Sequence, residues 1–323
     1  GTTINGNSSA RAGGGIETRD GAAVTLANVT MDGNDAGTNP GNGGALHITD
    51  ANPDNDTATV TVTDSTFSNN IAGREGGGLW NGSGTMTVDG STTALTINGN
   101  TASGPAADDG GGGIFNNGGT LVINTASITN NVADGTSGSG GGILGLGGSI
   151  TATSATITGN RANRAGGGIE TAGAHALTLT SVDLSNNNVG VAPAVGNPGN
   201  GGGLHVTGSG TVDISNSTIN NNTASTEGGG LWNQRGTVMT VSDSTLDGNS
   251  AVGTAAHDGG GALFNNGNGD ATGNAELVLN NLIVRNNTAT EGSGSGGGLL
   301  NVGGIVSITG GTWAQNDSAR AGG

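Results

Sequence analysis

Apolar and small polar residues alternate along this chain with a period of two, in short stretches that glycine clusters interrupt. The segments TVTVTDST at 59–66 and LTLTSVDLS at 177–185 are typical. Such alternation predicts β-strands with one buried face. The three- and four-residue spacing of a helix is absent, and glycine and asparagine are too frequent for stable helices. We therefore expect an all-β fold.

Two short motifs recur about every 31 residues and interleave along the chain. One is a glycine cluster followed by an aliphatic residue, and the other is an apolar residue three positions before an asparagine. One unit of this length cannot enclose a core, but stacked units bury a continuous one. The pattern predicts one continuous single-stranded parallel β-helix, or β-solenoid, over residues 1–323, with 10–11 coils. Each coil has three short strands: one after the glycine cluster, one in the alternating threonine segment, and one leading into the asparagine.

A longer repeat is superimposed on the coils. The residue after each aliphatic follows the order Glu, His, Trp, Phe, Leu, and this order occurs twice. Five coils therefore form a superrepeat, and the chain divides into superrepeats at about 1–156 and 157–312, with the start of a further coil at 313–323. The ten residues of this position are Glu17, His47, Trp80, Phe115, Leu144, Glu170, His205, Trp232, Phe264 and Leu300.

The recurring asparagine is interpreted as a structural residue at a turn. Its side chain can bond to backbone groups, it tolerates a left-handed backbone, and it can bond to its counterpart one coil away. We expect a structural asparagine ladder formed by Asn7, Asn34, Asn70, Asn100, Asn131, Asn160, Asn187, Asn222, Asn249, Asn287 and Asn316.

Six apolar residues of the superrepeat predict a candidate lateral interface. Each follows an inward aliphatic residue, so strand alternation should turn it outward. Glutamate and histidine at the same position favour that orientation, because a buried unpaired carboxylate is costly. Three successive coils would then expose an apolar stripe for contact with another rod or a partner. The alternative is that corner loops of the same chain cover this stripe: Trp80, Phe115, Leu144, Trp232, Phe264 and Leu300.

The composition restricts the class of partner. The chain has no cysteine and no lysine, and its eight arginines face 24 acidic residues, giving a net charge of −16. This balance disfavours nucleic acid and anionic lipid as partners. No apolar stretch approaches the roughly 18 residues of a membrane span, so direct membrane insertion is not expected. A glycine- and asparagine-rich acidic chain of this kind suggests an extracellular or cell-surface location.

The candidate chemistry is sparse. His47 and His205 each lie one coil from a glutamate, Glu17 and Glu170, which suits either a surface ladder pair or a proton relay or weak metal site. The arginine that recurs as Arg11, Arg164 and Arg320 is expected to pair with acids or carbonyls. Nearly every notable residue occurs twice, whereas a catalytic site is normally unique. We predict no enzyme activity, no catalytic residue, no metal site and no cofactor.

The motifs GGAL at 43–46 and FSNN at 67–70, with GGGLWN and STINNN, resemble the polymorphic outer-membrane protein repeats. These repeats belong to the wider class of bacterial right-handed β-helix surface proteins and autotransporter passengers. The resemblance covers nearly the whole chain. It implies a secreted or surface-exposed protein that is often adhesive.

The combined interpretation is a structural repeat segment of an extracellular filament, stalk or giant surface adhesin. Neither end of the sequence shows a capping element, so extension by continued coils or by head-to-tail stacking is expected. The expected partner is the protein itself, with host or cell-surface glycans as further candidates. A polysaccharide-binding or polysaccharide-cleaving β-helix is an alternative. Another is an ice-binding solenoid with outward threonine rows, which residues 57–63 fit locally although the sequence shows no regular threonine column.

Overall fold

The computed structural model is a parallel β-solenoid, described for residues 1–49, 58–91, 95–196, 198–268 and 273–323. Thr57 of the alternating threonine segment lies outside these ranges. Every strand pairing in them is parallel and joins one coil to the next, and none of these residues lies in a helix. The predicted fold class is therefore confirmed. Among the described residues, no helix has the length and apolar character needed to cross a membrane.

The largest sheet, here called the wide sheet, has 18 strands. Within each coil, the strand after the glycine cluster and the alternating threonine strand follow each other in this sheet, and in two coils they merge into one continuous strand. The strands are Ile16–Arg19, Ala23–Ala27, Leu46–Thr49, Thr59–Thr63, Leu79–Asn81, Thr85–Asp89, Ile114–Asn117, Thr120–Asn124, Ile143–Thr153, Ile169–Thr180, Leu204–Val206, Ser209–Ser215, Leu231–Gln234, Thr237–Ser242, Leu263–Asn266, Glu276–Asn280, Leu299–Val302 and Ile305–Thr309.

The second sheet, here called the Asn sheet, contains the 11 strands that lead into the recurring asparagine. Strands such as Thr66–Ser68, Thr156–Thr158 and Thr218–Asn220 bury the central apolar residue and leave its two neighbours half-buried. The strands are Thr2–Asn5, Val29–Asp32, Thr66–Ser68, Leu95–Asn98, Ala126–Thr129, Thr156–Thr158, Asp183–Ser185, Thr218–Asn220, Thr245–Asp247, Ile283–Arg285 and Thr312–Ala314.

A third sheet, here called the narrow sheet, consists of nine two-residue strands that directly follow the recurring asparagine. A coil therefore has four strand segments on three sheets, and the expectation of three strands per coil is corrected accordingly. Two residues are too short for alternation to be visible in a sequence. The strands are Ile71–Ala72, Thr101–Ala102, Val132–Ala133, Arg161–Ala162, Asn188–Val189, Thr223–Ala224, Ser250–Ala251, Thr288–Ala289 and Asp317–Ser318.

Single residues with a left-handed backbone form the corners between the sheets. The first residue of each glycine cluster is one of them, with φ of 65° at Gly76. The residue before the recurring asparagine is another, with φ of 54° at Asn69 and 67° at Gly99. Glycine adopts this conformation without strain, and asparagine and aspartate adopt it more readily than most other residues. The abundance of these residues is thus a requirement of the corners.

Apolar columns fill the interior of the coil. The aliphatic residue after the glycine cluster pairs with its counterpart in the next coil, as Leu79 does with Ile114 and Ile114 with Ile143. The central residues of the Asn sheet form a second column, in which Phe67 pairs with Ile97 and is fully buried. Each fully buried aliphatic side chain of this size contributes about 2 kcal/mol. The narrow sheet adds a column of small residues, mostly alanine.

The eleven asparagines form an unbroken ladder along one corner. Asn131 shows the pattern, since its Nδ2 donates to Oδ1 of Asn160 at 3.0 Å and to the carbonyl of Ile97 at 2.9 Å. The Oδ1 of Asn131 accepts two hydrogen bonds from Asn100, one from the backbone N–H at 3.0 Å and one from Nδ2 at 2.9 Å. Asn131 is fully buried, and all four bonding positions of its amide are used. The ladder therefore replaces water with bonds that only another asparagine at the same position supplies.

Replacing one ladder residue should destabilise the coil strongly. Asn131→Ala leaves two donors of Asn100 without their acceptor and removes the bond to the carbonyl of Ile97. We expect a loss of about 3–5 kcal/mol, measured from the urea dependence of the circular dichroism signal. Asn117→Ala is the matched control, because Asn117 is exposed, and its change should stay within about 0.5 kcal/mol. Equal effects of the two substitutions would contradict the structural role of the ladder.

Candidate functional site: the column after the glycine clusters

The position with the Glu–His–Trp–Phe–Leu order forms a column in the wide sheet. His47 pairs with Trp80 in the next coil, Trp80 with Phe115, and Phe115 with Leu144. The side chains lie on the opposite side of the sheet from the main core, because Trp80, Phe115 and Leu144 form a separate apolar cluster. The same register is repeated from Glu170 onward.

These side chains are not exposed, and the predicted lateral interface is wrong. The exposed fraction is 7% or less for Trp80, Phe115, Leu144, Trp232 and Phe264. Only Leu300 is partly exposed. Strand alternation does turn the column away from the core, but a second layer of the same chain covers it. The alternative explanation, in which the chain covers its own stripe, is the one that the structure supports.

At the two tryptophans, the covering residue is the one just before the glycine cluster, and this position is here called the roof position. The left-handed glycine that follows, such as Gly76, reverses the chain and brings the roof residue over the column. Glu75 thus accepts a hydrogen bond from Nε1 of Trp80 at 2.9 Å, and Glu227 accepts the equivalent bond from Trp232 at 2.9 Å. Sequence reasoning missed this layer, although the roof order Ala, Asn, Glu, Gly, Ser also occurs twice: Ala12, Asn42, Glu75, Gly110, Ser139, Ala165, Asn200, Glu227, Gly259 and Ser295.

Aromatic rings stack along the covered column in both superrepeats. The rings of His47 and Trp80 are 4.3 Å apart between centroids, and those of Trp80 and Phe115 are 5.9 Å apart and nearly parallel. His205 and Trp232 repeat the first distance at 4.3 Å. Such pairs add roughly 0.5–1.5 kcal/mol beyond the burial of area. The column is thus a second, smaller core outside the main one.

A buried ionic group begins the second superrepeat. Nη1 of Arg164 lies 2.8 and 3.0 Å from the two carboxylate oxygens of Glu170, and Nδ1 of His205 lies 3.3 Å from Oε1 of Glu170. Glu170 is 1% exposed and His205 is 4% exposed. The expected surface ladder pair is therefore corrected to a buried pair. Arg164 supplies the charge that makes burial of the carboxylate tolerable.

The first superrepeat has a looser version of this group. Arg11 bonds to Glu17, while Nδ1 of His47 is 4.0 Å from Oε1 of Glu17 and has no hydrogen-bond partner in the described structure. Arg320 donates to the carbonyl of Ala256 at 3.3 Å. Each recurring arginine thus contacts an acid or a carbonyl, as the sequence indicated. Among the described residues, no group of three or more His, Asp or Glu side chains could hold a metal ion.

Burial shifts the ionisation of the covered residues. It raises the pKa of the Glu75 carboxyl to about 7, although the bond from Trp80 and the charge of Arg74 act in the opposite direction. Burial also raises the pKa of Glu227. It lowers the pKa of His47 to about 4, and the charges of Arg11 and Arg19 act in the same direction.

Opposing effects set the pKa values of the buried pair in the second superrepeat. Burial acts to raise the pKa of Glu170, but the hydrogen bond from His205 and the charges of His205 and Arg164 outweigh it, so this pKa is lowered. Burial lowers the pKa of His205, although the hydrogen bond to Glu170 and the charge of that carboxylate act in the opposite direction.

Two short inner asparagine ladders lie next to the covered column and were not predicted. Nδ2 of Asn81 donates to Oδ1 of Asn116 at 2.6 Å. In the second superrepeat Asn233 donates to Asn265 at 2.9 Å, and Asn265 donates to Asn301 at 2.8 Å. The sequence signal was the asparagine after Trp80 and Trp232 and after Phe115 and Phe264.

Comparison with known proteins agrees with the repeat geometry. Residues 64–82 and 216–234 match the family model of the Chlamydia polymorphic membrane protein repeat. Both matched segments run from the corner before the Asn sheet to the strand that holds the tryptophan, so they are equivalent parts of the two superrepeats. The match to the polymorphic membrane protein repeat confirms the resemblance seen in the motifs.

One solved structure also aligns with the chain. It is a crystal structure of a TibA fragment that TibC has hyper-glycosylated, and the alignment covers 100% of both chains at 11% identity. The TM-score is 0.17, which is too low to support an argument. No curated protein sequence matches this chain at a significant level.

The raised pKa of Glu75 predicts a pH-dependent stability. The folded state holds this proton more tightly than the unfolded chain, whose carboxyl titrates near its ordinary value of 4.5. The free energy of unfolding should therefore fall as pH rises from about 4.5 to about 7, by roughly 2–3 kcal/mol. Glu75→Gln, which keeps an acceptor for Trp80, should remove this part of the pH dependence. Urea unfolding at pH 5 and pH 8, followed by tryptophan fluorescence, measures the difference.

The control for this experiment is Glu291→Gln, because Glu291 is exposed. That variant should keep the pH dependence of the original protein. If Glu75→Gln and the original protein show parallel stability profiles between pH 5 and pH 8, the buried carboxyl is not the source of the effect.

Proposed function

We propose that this chain is a structural β-solenoid segment of a surface-exposed filament, stalk or adhesin. Three observations support the proposal. The fold is a parallel solenoid, two segments match a polymorphic membrane protein repeat, and the covered column passes from one superrepeat to the next without a change of register. A rod that is built in this way separates its ends without needing a globular core.

The contact between the two superrepeats is the main observation that supports the proposal. Leu144, the last residue of the order in the first superrepeat, pairs with Glu170, the first residue in the second. The side chain of Glu170 is 1% exposed, whereas that of the equivalent Glu17 is 28% exposed. The coil that contains leucine, which is the last of a superrepeat, therefore covers the coil that contains glutamate, which is the first of the next superrepeat. Further superrepeats, in the same chain or in another copy, can add through the same contact.

The polar groups of the covered column support a non-enzymatic role. The carboxylate of Glu170 is held by Arg164 and His205, and Glu227 is held by Nε1 of Trp232. These groups are engaged in bonds that close the fold. Five coils away, the Glu75–Trp80 bond and a looser Arg11–Glu17 pair occupy the equivalent places. A surface-exposed repeat protein of the adhesin type is the class that the repeat match supports.

Self-association through the superrepeat contact is tested by charge reversal at Glu17. In a head-to-tail contact, the coil that contains Leu144 in one copy would pack on the coil that contains Glu17 in the next copy. Glu17→Arg would place a second positive charge beside Arg11 in that contact. We expect the original protein to form end-to-end oligomers as its concentration rises and the variant to remain monomeric. Sedimentation velocity and electron microscopy measure this difference.

Asp213→Arg is the matched control, because Asp213 is exposed on the side of the rod. This variant should associate like the original protein. Loss of association in both variants would indicate side-by-side contact. A protein that stays monomeric at all concentrations would contradict the non-covalent form of the proposal and favour continued coils in one chain.

A further inference from the structure

The outer face of the wide sheet carries a regular two-dimensional arrangement of threonine. In five successive coils, the alternating strand turns three residues outward, and ten of these fifteen residues are threonine. We call this surface the threonine array. Its threonines are Thr59, Thr61, Thr63, Thr85, Thr87, Thr120, Thr151, Thr153, Thr178 and Thr180.

Register in the sheet produces the array from coils of unequal length. Thr61 pairs with Thr87, and Thr151 pairs with Thr178, while Val122 continues the same row between them. The differences in coil length are taken up outside these strands, for example in the segment 103–113 between the narrow sheet and the next wide-sheet strand. This is why the sequence showed no regular threonine column, and that expectation is corrected here.

The spacing of the array is fixed in both directions by the backbone. Neighbouring coils are about 4.8 Å apart, and outward residues along one strand are about 6.7 Å apart. The array is therefore a lattice of methyl and hydroxyl groups with an area of about 250 Å². Both spacings are close to principal repeats of hexagonal ice.

The hydroxyl groups of the array are available for an outside partner. The structure shows one hydrogen bond among them, in which Thr120 accepts from Ser149 at 3.4 Å. In the described structure, the hydroxyls of Thr61, Thr87 and Thr151 have no hydrogen-bond partner. The side chains are exposed or half-buried. Of the fifteen outward residues, only Asp89 carries a charge.

The chemistry of the surface selects among partners. An area of about 250 Å² is well below the roughly 800 Å² per partner that a stable protein interface buries. None of the fifteen outward residues is aromatic, so the surface lacks the rings on which sugars stack. None is basic, so phosphates are not attracted. A rigid lattice of hydroxyl and methyl groups with a single charge instead fits a partner that is itself a lattice of water.

We propose that the threonine array binds ice. The hydroxyls take positions of lattice water molecules and the methyl groups fill the spaces between them. The rigidity of the sheet keeps the array ordered before contact. This activity goes beyond the structural role proposed above, because it uses the side of the rod and not the contact between superrepeats.

The test compares the original 323-residue chain with two variants during slow growth of ice. Thr87→Lys with Thr151→Lys places two long charged side chains in the middle row of the array. Thr66→Lys with Thr156→Lys places the same two charges on the outer face of the Asn sheet, where both threonines also point outward. Circular dichroism and tryptophan fluorescence verify that both variants are folded. Thermal hysteresis and the fraction of protein enclosed in the ice are measured.

We expect thermal hysteresis and enclosure in ice for the original chain and for the Asn-sheet variant. The array variant should lose most of both. Absence of thermal hysteresis in the original chain would overturn the proposal. Equal loss in both variants, or loss only in the Asn-sheet variant, would also overturn it, because the threonine array would then not be the binding surface.

Discussion

Axial register is the constraint on which this molecule depends. Every backbone hydrogen bond between coils requires the next coil to follow the same path, so each sheet, corner and column repeats at the same place. The asparagine ladder enforces this rule most strictly. An asparagine such as Asn131 is bonded to the coil before and the coil after it. A coil that lacked the residue would leave two buried donors of Asn100 unpaired on one side and would remove a donor to Oδ1 of Asn160 on the other.

The sequence specified the inner half of the structure well. The aliphatic residue after each glycine cluster and the apolar residue before each asparagine could both be predicted as core residues. Their alternation and spacing along the chain depend directly on burial in the main core. The eleven ladder asparagines could also be identified in the sequence, since each occupies a fixed position after its strand. Two-residue strands such as Thr101–Ala102 left no alternation to detect.

The outer half could not be inferred by the same reasoning. Alternation shows that Trp80 points away from the core, but it does not show what lies above it. That depends on the left-handed turn at Gly76, which returns Glu75 over the ring within five residues. Threonine rows were hidden for a related reason. Thr87 and Val122 become neighbours only when the intervening insert leaves the sheet, and sequence distance does not reveal this.

The roof and the column also limit how such a rod can change in length. Each covered side chain lies five positions after its roof residue, as Trp232 does after Glu227 and Glu170 after Ala165. Deletion of a single coil would place Trp next to Glu, or Leu next to Trp, in the covered column. Insertion of a single coil would likewise interrupt the Glu–His–Trp–Phe–Leu order. Gain or loss of five coils keeps every neighbour unchanged. Recombination between gene copies should therefore yield rods whose lengths differ in whole superrepeats.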